Sequence, residues 1–263
     1  MDKSRARVGV IGGSGLYELL AGGTEIEVDT PFGAPSSPIA MAEVDGVPLA
    51  FLARHGAAHE LPPHAINYRA NAWALHSVGV RQVLAPCAVG SLDADVGPGA
   101  LVIPDQLVDW TRGRQQTFHD RFADGPLHAS FADPYCPDVR GAALAAAQSA
   151  GWGAIDGGAM VVIEGPRFST RAESRFFAGQ GWAVVNMTGH PEAVLFRELG
   201  VCYAPLALVT DLDAGLSAGQ GVSTSAVMAE FARSTDRLRS VLLDAVTRLP
   251  TADCPYCPPA VDR

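Results

Sequence analysis

Several short runs place polar or charged side chains where apolar stretches end, and each suits a particular chemistry. In Gly12-Gly13-Ser14-Gly15 the glycines let backbone N–H groups approach an anion, and the Ser14 hydroxyl adds a further donor. The run is not a dinucleotide fingerprint, because Glu18 stands where a third glycine is required. Nor is it a nucleophile elbow, because Leu16 stands where the closing glycine would be. A tight strand-to-helix turn accounts for it equally well. Arg54-His55-Gly56 closes another apolar run and offers a planar guanidinium fork beside a tunable imidazole, together a candidate oxyanion clamp. A lone Arg-His is usually a polar strand terminus, but ligands of open α/β sheets bind beyond the carboxyl ends of strands, and this placement raises the odds of a clamp. His55, His59 and His64 sit in a Pro-rich stretch with no helix to present them, so no metal site is expected there.

Further along, Glu164-Gly165-Pro166-Arg167-Phe168-Ser169-Thr170 turns from a strand toward a helix, placing Phe168 where an aromatic ring stacks on a planar ligand or packs in the core. In Asn186-Met187-Thr188-Gly189-His190-Pro191, Thr188 is suited to a second phosphate contact at a helix N-terminus or to capping that helix. Thr210-Asp211-Leu212-Asp213 ends the most apolar strand. Its two carboxyls are an incomplete divalent-cation site, or they read the edge of an aminopurine, whose ring N7 accepts and whose exocyclic amine donates. Cys254-Pro255-Tyr256-Cys257 matches a dithiol motif but lies in a Pro-rich tail, where an incidental or oligomer-stabilising role is expected rather than redox catalysis.

These runs need a frame. Apolar segments predict strands over residues 7–11, 39–44, 47–53, 82–87, 101–103, 160–163, 183–185 and 201–209, with Asp45-Gly46 as a hairpin turn. Helical periodicity predicts helices over 66–77, 138–149, 170–178, 191–199 and 223–249. Gly151 stops the second, and Val227, Phe231, Leu238, Leu242 and Leu249 form one apolar face on the last. Strands alternating with helices around an early hairpin predict a single α/β domain with a mixed central sheet flanked by helices, its core spanning about residues 7–249. Residues 113–137 are too irregular to assign, and residues 250–263 are expected to form a loose C-terminal tail.

Composition narrows the class further. With 263 residues, 48% of them apolar and 18% charged, the chain can bury a large core and is not a disordered protein. A net charge of −9, with the acidic residues scattered, argues against nucleic acid as a partner but not against binding one phosphate. Five cysteines at irregular spacing do not make a disulfide framework. No apolar run approaches the ~18 residues of a membrane helix, and residues 8–11 are too short for a signal h-region. A cytoplasmic protein without membrane association is expected.

The order of the motifs says more than any one of them. Val10-Ile11-Gly12-Gly13-Ser14-Gly15-Leu16, Thr30-Pro31-Phe32-Gly33, Ala53-Arg54-His55-Gly56, Asn67-Tyr68-Arg69-Ala70-Asn71, Gly90-Ser91-Leu92, Glu164-Gly165-Pro166-Arg167-Phe168, Asn186-Met187-Thr188 and Thr210-Asp211-Leu212-Asp213 together resemble the 5′-methylthioadenosine phosphorylases of the trimeric purine nucleoside phosphorylase superfamily. The resemblance implies a partly barrel-like sheet, a homotrimer and phosphorolysis of a purine nucleoside, with inorganic phosphate as co-substrate and neither metal nor organic cofactor. Matched position by position, it implies phosphate binding by Ser14, Arg54, His55, Cys87, Ala88 and Thr188. Phe168, Ser169, Asp211 and Asp213 would address the purine, with Asp211 as the acid that protonates N7. Met187 would face the ribose, and Thr224, Val227 and Met228 would line the 5′ pocket, joined by His128 of a neighbouring subunit.

Two positions depart from that pattern. Pro86-Cys87-Ala88 stands where the family usually carries paired threonines, and Gly189-His190 is closer to relatives that act on methylthioinosine. Two competing readings follow from the residues. Arg54-His55-Gly56 with His190 suits a histidine phosphatase, although there the triplet normally follows the first strand. A nucleoside-binding protein without turnover would also accommodate Cys87.

Overall fold

The computed structural model describes residues 5–13, 23–122, 125–214 and 221–257. The strands are β1 (Val8–Gly12), β2 (Thr24–Ile26), β3 (Ile39–Val44), β4 (Val47–Ala53), β5 (Gln82–Ser91), β6 (Leu101–Ile103), β7 (Gln106–Trp110), β8 (Ile155–Asp156), β9 (Ala159–Ile163), β10 (Val184–Asn186) and β11 (Cys202–Leu212). The helices are α1 (Tyr68–Ser77), α2 (Pro137–Ser149), α3 (Arg171–Gly179), α4 (Gly189–Glu198) and α5 (Thr224–Arg248). All the strands join one mixed sheet, whose main path runs β2-β3-β4-β1-β5-β10-β9-β7. β11 lies parallel to β5 on its other side and carries β6, which in turn pairs with β8.

The long strand β5 explains this shape. Its first residues pair with β1 and its last with β10 on one edge, while β11 follows it along its length on the other. The sheet therefore branches at β5. The expectation of a partly barrel-like sheet is corrected to this extent: the sheet does not close. Buried on both faces, β1, β5 and β11 read as continuous apolar runs rather than alternating ones. The hairpin β3–β4 turns through Asp45 and Gly46, both at positive φ, as a two-residue hairpin loop demands.

One layer of helices covers each face. On one side the alanines Ala143, Ala146 and Ala147 of α2 let it approach α5, which contributes Leu238, Val241, Leu242 and Ala245 to the same core. On the other, Ala72 and Leu75 of α1 pack with Ala193 and Phe196 of α4. α2 ends where predicted, with Gly151 at φ +65° and the Trp152 N–H donating to Ala147 O at 2.8 Å. A capping box of Thr170 and Glu173 starts α3. Within α4, His190 has extended backbone angles, so the regular turns begin at Pro191, the predicted start.

The segment after Leu249 is not a loose tail over the residues described. Gln82 donates to Pro250 O at 3.0 Å, Arg7 donates to Ala252 O at 2.9 Å, and Cys257 is buried. Edge strand β7, unpredicted, pairs parallel with β9 and ends just before the irregular stretch of residues 113–137. No helix among the described residues is long and apolar enough to cross a membrane.

Candidate active site

The carboxyl ends of β1, β4 and β11 meet the second half of β5 and the loops after β9 and β10 around a cavity of about 840 Å³. Its lining brings together Arg54, His55, Cys87, Ala88, Phe168, Ser169, Met187, Thr188, Asp211 and Asp213, and on α5 Thr224, Val227 and Met228. Ser14 lies outside the described residues; its neighbour Gly13 lines the cavity. His128 is exposed, packs edge-on against Phe122 with ring centroids 5.6 Å apart, and does not line the cavity of its own chain.

Arg54, at the end of β4, is buried to 2% exposure and is tied on most sides. Its Nε and Nη2 form a bidentate pair with Glu192, Nη2 also donates to Ile11 O at 2.9 Å, and Nη1 donates to Pro86 O at 3.1 Å. Burial lowers the guanidinium pKa, but the adjacent Glu192 carboxylate more than offsets it and the net shift is upward. Glu192 in turn accepts from the Tyr203 hydroxyl at 2.9 Å. With most of its donors engaged, Arg54 acts here as a rigid charged wall rather than a mobile clamp.

His55 is held differently. Its Nδ1 lies 2.9 Å from Leu61 O, a carbonyl that only an N–H can satisfy, so Nε2 carries the lone pair. Burial and the Arg54 charge push its pKa down to about 4, which keeps the ring neutral at physiological pH. In that state Nε2 is a hydrogen-bond acceptor, suited to a hydroxyl donor and not to an unprotonated oxyanion. Next to it in the cavity, burial pushes the Cys87 thiol up to about 12, leaving a neutral, weak S–H donor. Thr188 is turned toward the site by Asn186, whose Oδ1 accepts from the Thr188 N–H at 2.7 Å while its Nδ2 donates to Ala88 O at 3.2 Å.

At the other end of the cavity two carboxyls stand almost side by side. A bulge at Thr210 shifts the β11–β5 register so that Asp211 pairs with Gly90. A Cβ on Gly90 would stand 3.1 Å from Asp211 Oδ1 and 3.3 Å from Asp213 Cβ, so any larger residue would press on both aspartates, which would have to give by a few tenths of an ångström. Burial raises the Asp211 pKa from 3.8 to about 6, with Asp213 adding to the rise and a 2.9 Å hydrogen bond from Thr210 opposing it. Ser169 Oγ and Asp213 Oδ2 are buried and have no hydrogen-bond partner among the described residues. Buried polar atoms are rarely left unpaired, so two in one cavity mark the place of a polar ligand.

Arg114 is the positioning residue that sequence reasoning missed. It comes from the unassigned stretch yet joins both ligand loops, donating to Met187 O at 2.9 Å and Glu164 O at 2.8 Å, and also to His190 O. No local pattern announced it, because its partners are 50 to 76 residues away. His190 does not line the cavity; its Nε2 lies 3.2 Å from Asp109 Oδ2, and burial lowers its pKa. It is thus not placed as the second histidine of a phosphatase. On α5 the predicted apolar face divides: Leu238, Leu242 and Leu249 are core, whereas Val227 and Phe231 line the cavity and Met228 is 51% exposed.

Comparison with known proteins agrees with this geometry. The chain is 57% identical to a purine nucleoside phosphorylase of Streptomyces coelicolor, over 97% of this chain and 94% of that one. It is 53% identical to an S-methyl-5′-thioadenosine phosphorylase of Mycolicibacterium smegmatis, over 95% and 94% of the two chains. Among solved structures, methylthioadenosine phosphorylase from Schistosoma mansoni in complex with adenine superposes with a TM-score of 0.87 at 38% identity, covering 92% of this chain and 91% of that one. The family model of the phosphorylase superfamily matches residues 7–247, and with it the strands that build both ends of the cavity: this chain belongs to that superfamily.

Proposed function

We propose that the protein cleaves the N-glycosidic bond of 5′-methylthioadenosine with inorganic phosphate, giving adenine and 5-methylthioribose 1-phosphate. The observation that carries this reading is the unpartnered Ser169 Oγ and Asp213 Oδ2 beside Asp211, a polar edge of purine character at the far end of a cavity that begins at Arg54 and His55. Phosphate held by Arg54, His55, Cys87, Ala88, Thr188 and the Gly13-Ser14 turn faces the anomeric carbon. As the C1′–N9 bond lengthens, its electron pair moves into the purine and positive charge develops on the ribosyl group. A phosphate oxygen stabilises that charge and then bonds to C1′ from the opposite face, with inversion. Asp211, with its pKa near 6, gives its proton to N7 so that the base leaves neutral. Positioning and electrostatics supply the barrier reduction, so phosphate is a co-substrate and the step calls for neither metal nor organic cofactor.

Thr224, Val227 and Met228 form an apolar 5′ pocket suited to a thioether more than to a hydroxyl. The exposure of Met228 there is consistent with a wall completed by a second subunit. We therefore assign the protein as a homotrimer in which His128 of a neighbouring copy reaches that pocket, working in the cytoplasm in purine and methionine salvage. A second reading, methylthioinosine as substrate, rests on Gly189-His190. Chromatography of free base from methylthioadenosine, methylthioinosine, adenosine and inosine, with and without phosphate, tests both. Adenine released only with phosphate, and fastest from methylthioadenosine, is expected. Hypoxanthine from methylthioinosine alone would reassign the base, and base release independent of phosphate would refute phosphorolysis.

A further inference from the structure

On the side of the sheet covered by α2 and α5, four cysteines from three distant parts of the chain converge. Their sulfur atoms all lie within 4.8 Å of one another, and Cys136 Sγ is 3.6 Å from Cys254 Sγ. Cys136 is the residue from which α2 starts, Cys202 opens β11, and Cys254-Pro255-Tyr256-Cys257 is a turn in the terminal segment. Tetrahedral zinc with Zn–S bonds of about 2.3 Å sets its sulfurs about 3.8 Å apart, close to the 3.6 Å between Cys136 and Cys254 and within the 4.8 Å that bounds the whole cluster. Two residues between the last pair is the common spacing of a zinc-binding half-site.

The charge around the cluster points the same way. Arg197 is buried and donates only to backbone carbonyls, Asp133 O at 2.7 Å, Tyr256 O at 3.3 Å and Ser130 O at 3.4 Å, with no ion pair among the described residues. One of those carbonyls belongs to the residue preceding Cys257. A buried cation without a counter-charge is unfavourable, and a dianionic metal tetrathiolate beside it supplies one. The N-terminal end of α2 also places its positive dipole at Cys136.

We propose that Cys136, Cys202, Cys254 and Cys257 bind one zinc ion in a structural site that fastens the terminal segment to α2 and β11. Binding converts four thiols to thiolates and releases their four protons to solvent, with no change of redox state. All four ligand positions are protein sulfur, so the site is closed and has no part in the phosphorolysis. None of the four residues lines the catalytic cavity.

The test uses the full chain, purified under reductant from zinc-supplemented medium. Elemental analysis should give about one zinc per chain, and titration with an organomercurial should release it as the thiols are modified. Exchange for Co²⁺ should produce thiolate-to-metal charge-transfer bands with tetrahedral ligand-field bands. The double substitution Cys254→Ser, Cys257→Ser should lose the zinc and melt at lower temperature while retaining phosphorolysis. If that variant does not fold, the stoichiometry and the cobalt spectrum of the unsubstituted protein still decide. The proposal is overturned if the reduced protein neither holds zinc nor takes it up. It is equally overturned by an intact mass short of the hydrogens lost to disulfides, or by zinc retained at full stoichiometry in the double variant.

Discussion

Asp211 shows how one side chain carries both a functional and a thermodynamic consequence. Its pKa is raised from 3.8 to about 6, so the folded state disfavours its ionised form. The corresponding stability is present below about pH 4, is lost as pH rises through 6, and stays lost above that. Asp211→Asn removes the penalty and should stabilise the protein at pH 7.5 by about 1–2 kcal/mol, after allowance for partial exposure, with the gain shrinking toward pH 4.5. Urea unfolding at the two pH values reads this directly. The same substitution withdraws the N7 proton and should lower kcat on 6-aminopurine nucleosides by about 100-fold or more, with a much smaller loss on 6-oxopurine nucleosides. Cys87 offers the converse case, a weak donor where a better one fits. Cys87→Thr should place a hydroxyl against phosphate from a β-branched residue that suits β5, lowering the phosphate KM by up to about fivefold, worth roughly 1 kcal/mol, at similar kcat. Steady-state kinetics at varied phosphate, with nucleoside saturating, checks it.

At the scale of elements, the site is a set of strand ends held in register by contacts from elsewhere. Arg54 and Asp211 were legible because each closes an apolar run, and a strand's end is where an α/β sheet presents its ligands. The bulge at Thr210 was not legible: it depends on the partner strand β5, and nothing local marks it. Nor was Arg114, whose stretch has no periodicity and whose value lies in bonds to two loops remote in sequence. The cysteines show the same limit, for Cys136 and Cys254 meet only because α2 and the terminal segment pack on one face. The terminal segment itself was misjudged from its Pro-rich composition, since its anchors Gln82 and Arg7 lie more than 160 residues away. Arg114→Lys keeps the charge but cannot bridge Met187 O, His190 O and Glu164 O at once. It should reduce kcat/KM by about 10- to 100-fold through misplacement of both loops, with a melting temperature only slightly lower. A loss of stability without a loss of kcat/KM would assign Arg114 to the fold alone.

For the molecule as a whole, the surface bears on the assembly. Trp110 and Phe176 are 44% and 49% exposed, and their rings stand 5.7 Å apart in a cluster completed by Phe177 and Trp182. Contiguous exposed aromatic surface marks an association site more often than a solvent-facing one. It lies at the end of β7, which pairs with β9, and on α3; the Phe168 loop joins β9 to α3, so an association there would brace the Phe168 end of the cavity. On the 5′ side, Met228 is 51% exposed at the edge of the pocket, and in the proposed trimer His128 of a neighbouring copy closes it. Light scattering on the eluting protein should therefore read three copies of the 27.4 kDa chain. Trp110→Glu with Phe176→Glu should shift the mass toward smaller species and lower turnover in the same concentration range. His128→Ala should leave the trimer and the phosphate KM unchanged while raising KM for the 5′-methylthio substrate about threefold to tenfold, the loss of one ring against the substituent, roughly 1 kcal/mol. Mixing that variant with Asp211→Asn chains discriminates the trans arrangement from a cis one. If His128 serves a neighbour, hybrid trimers contain some sites with both native residues and some with neither, so the low KM reappears in a fraction of the activity. If it serves its own chain, no site in the His128→Ala subunits recovers and the mixture shows only the sum of its parts.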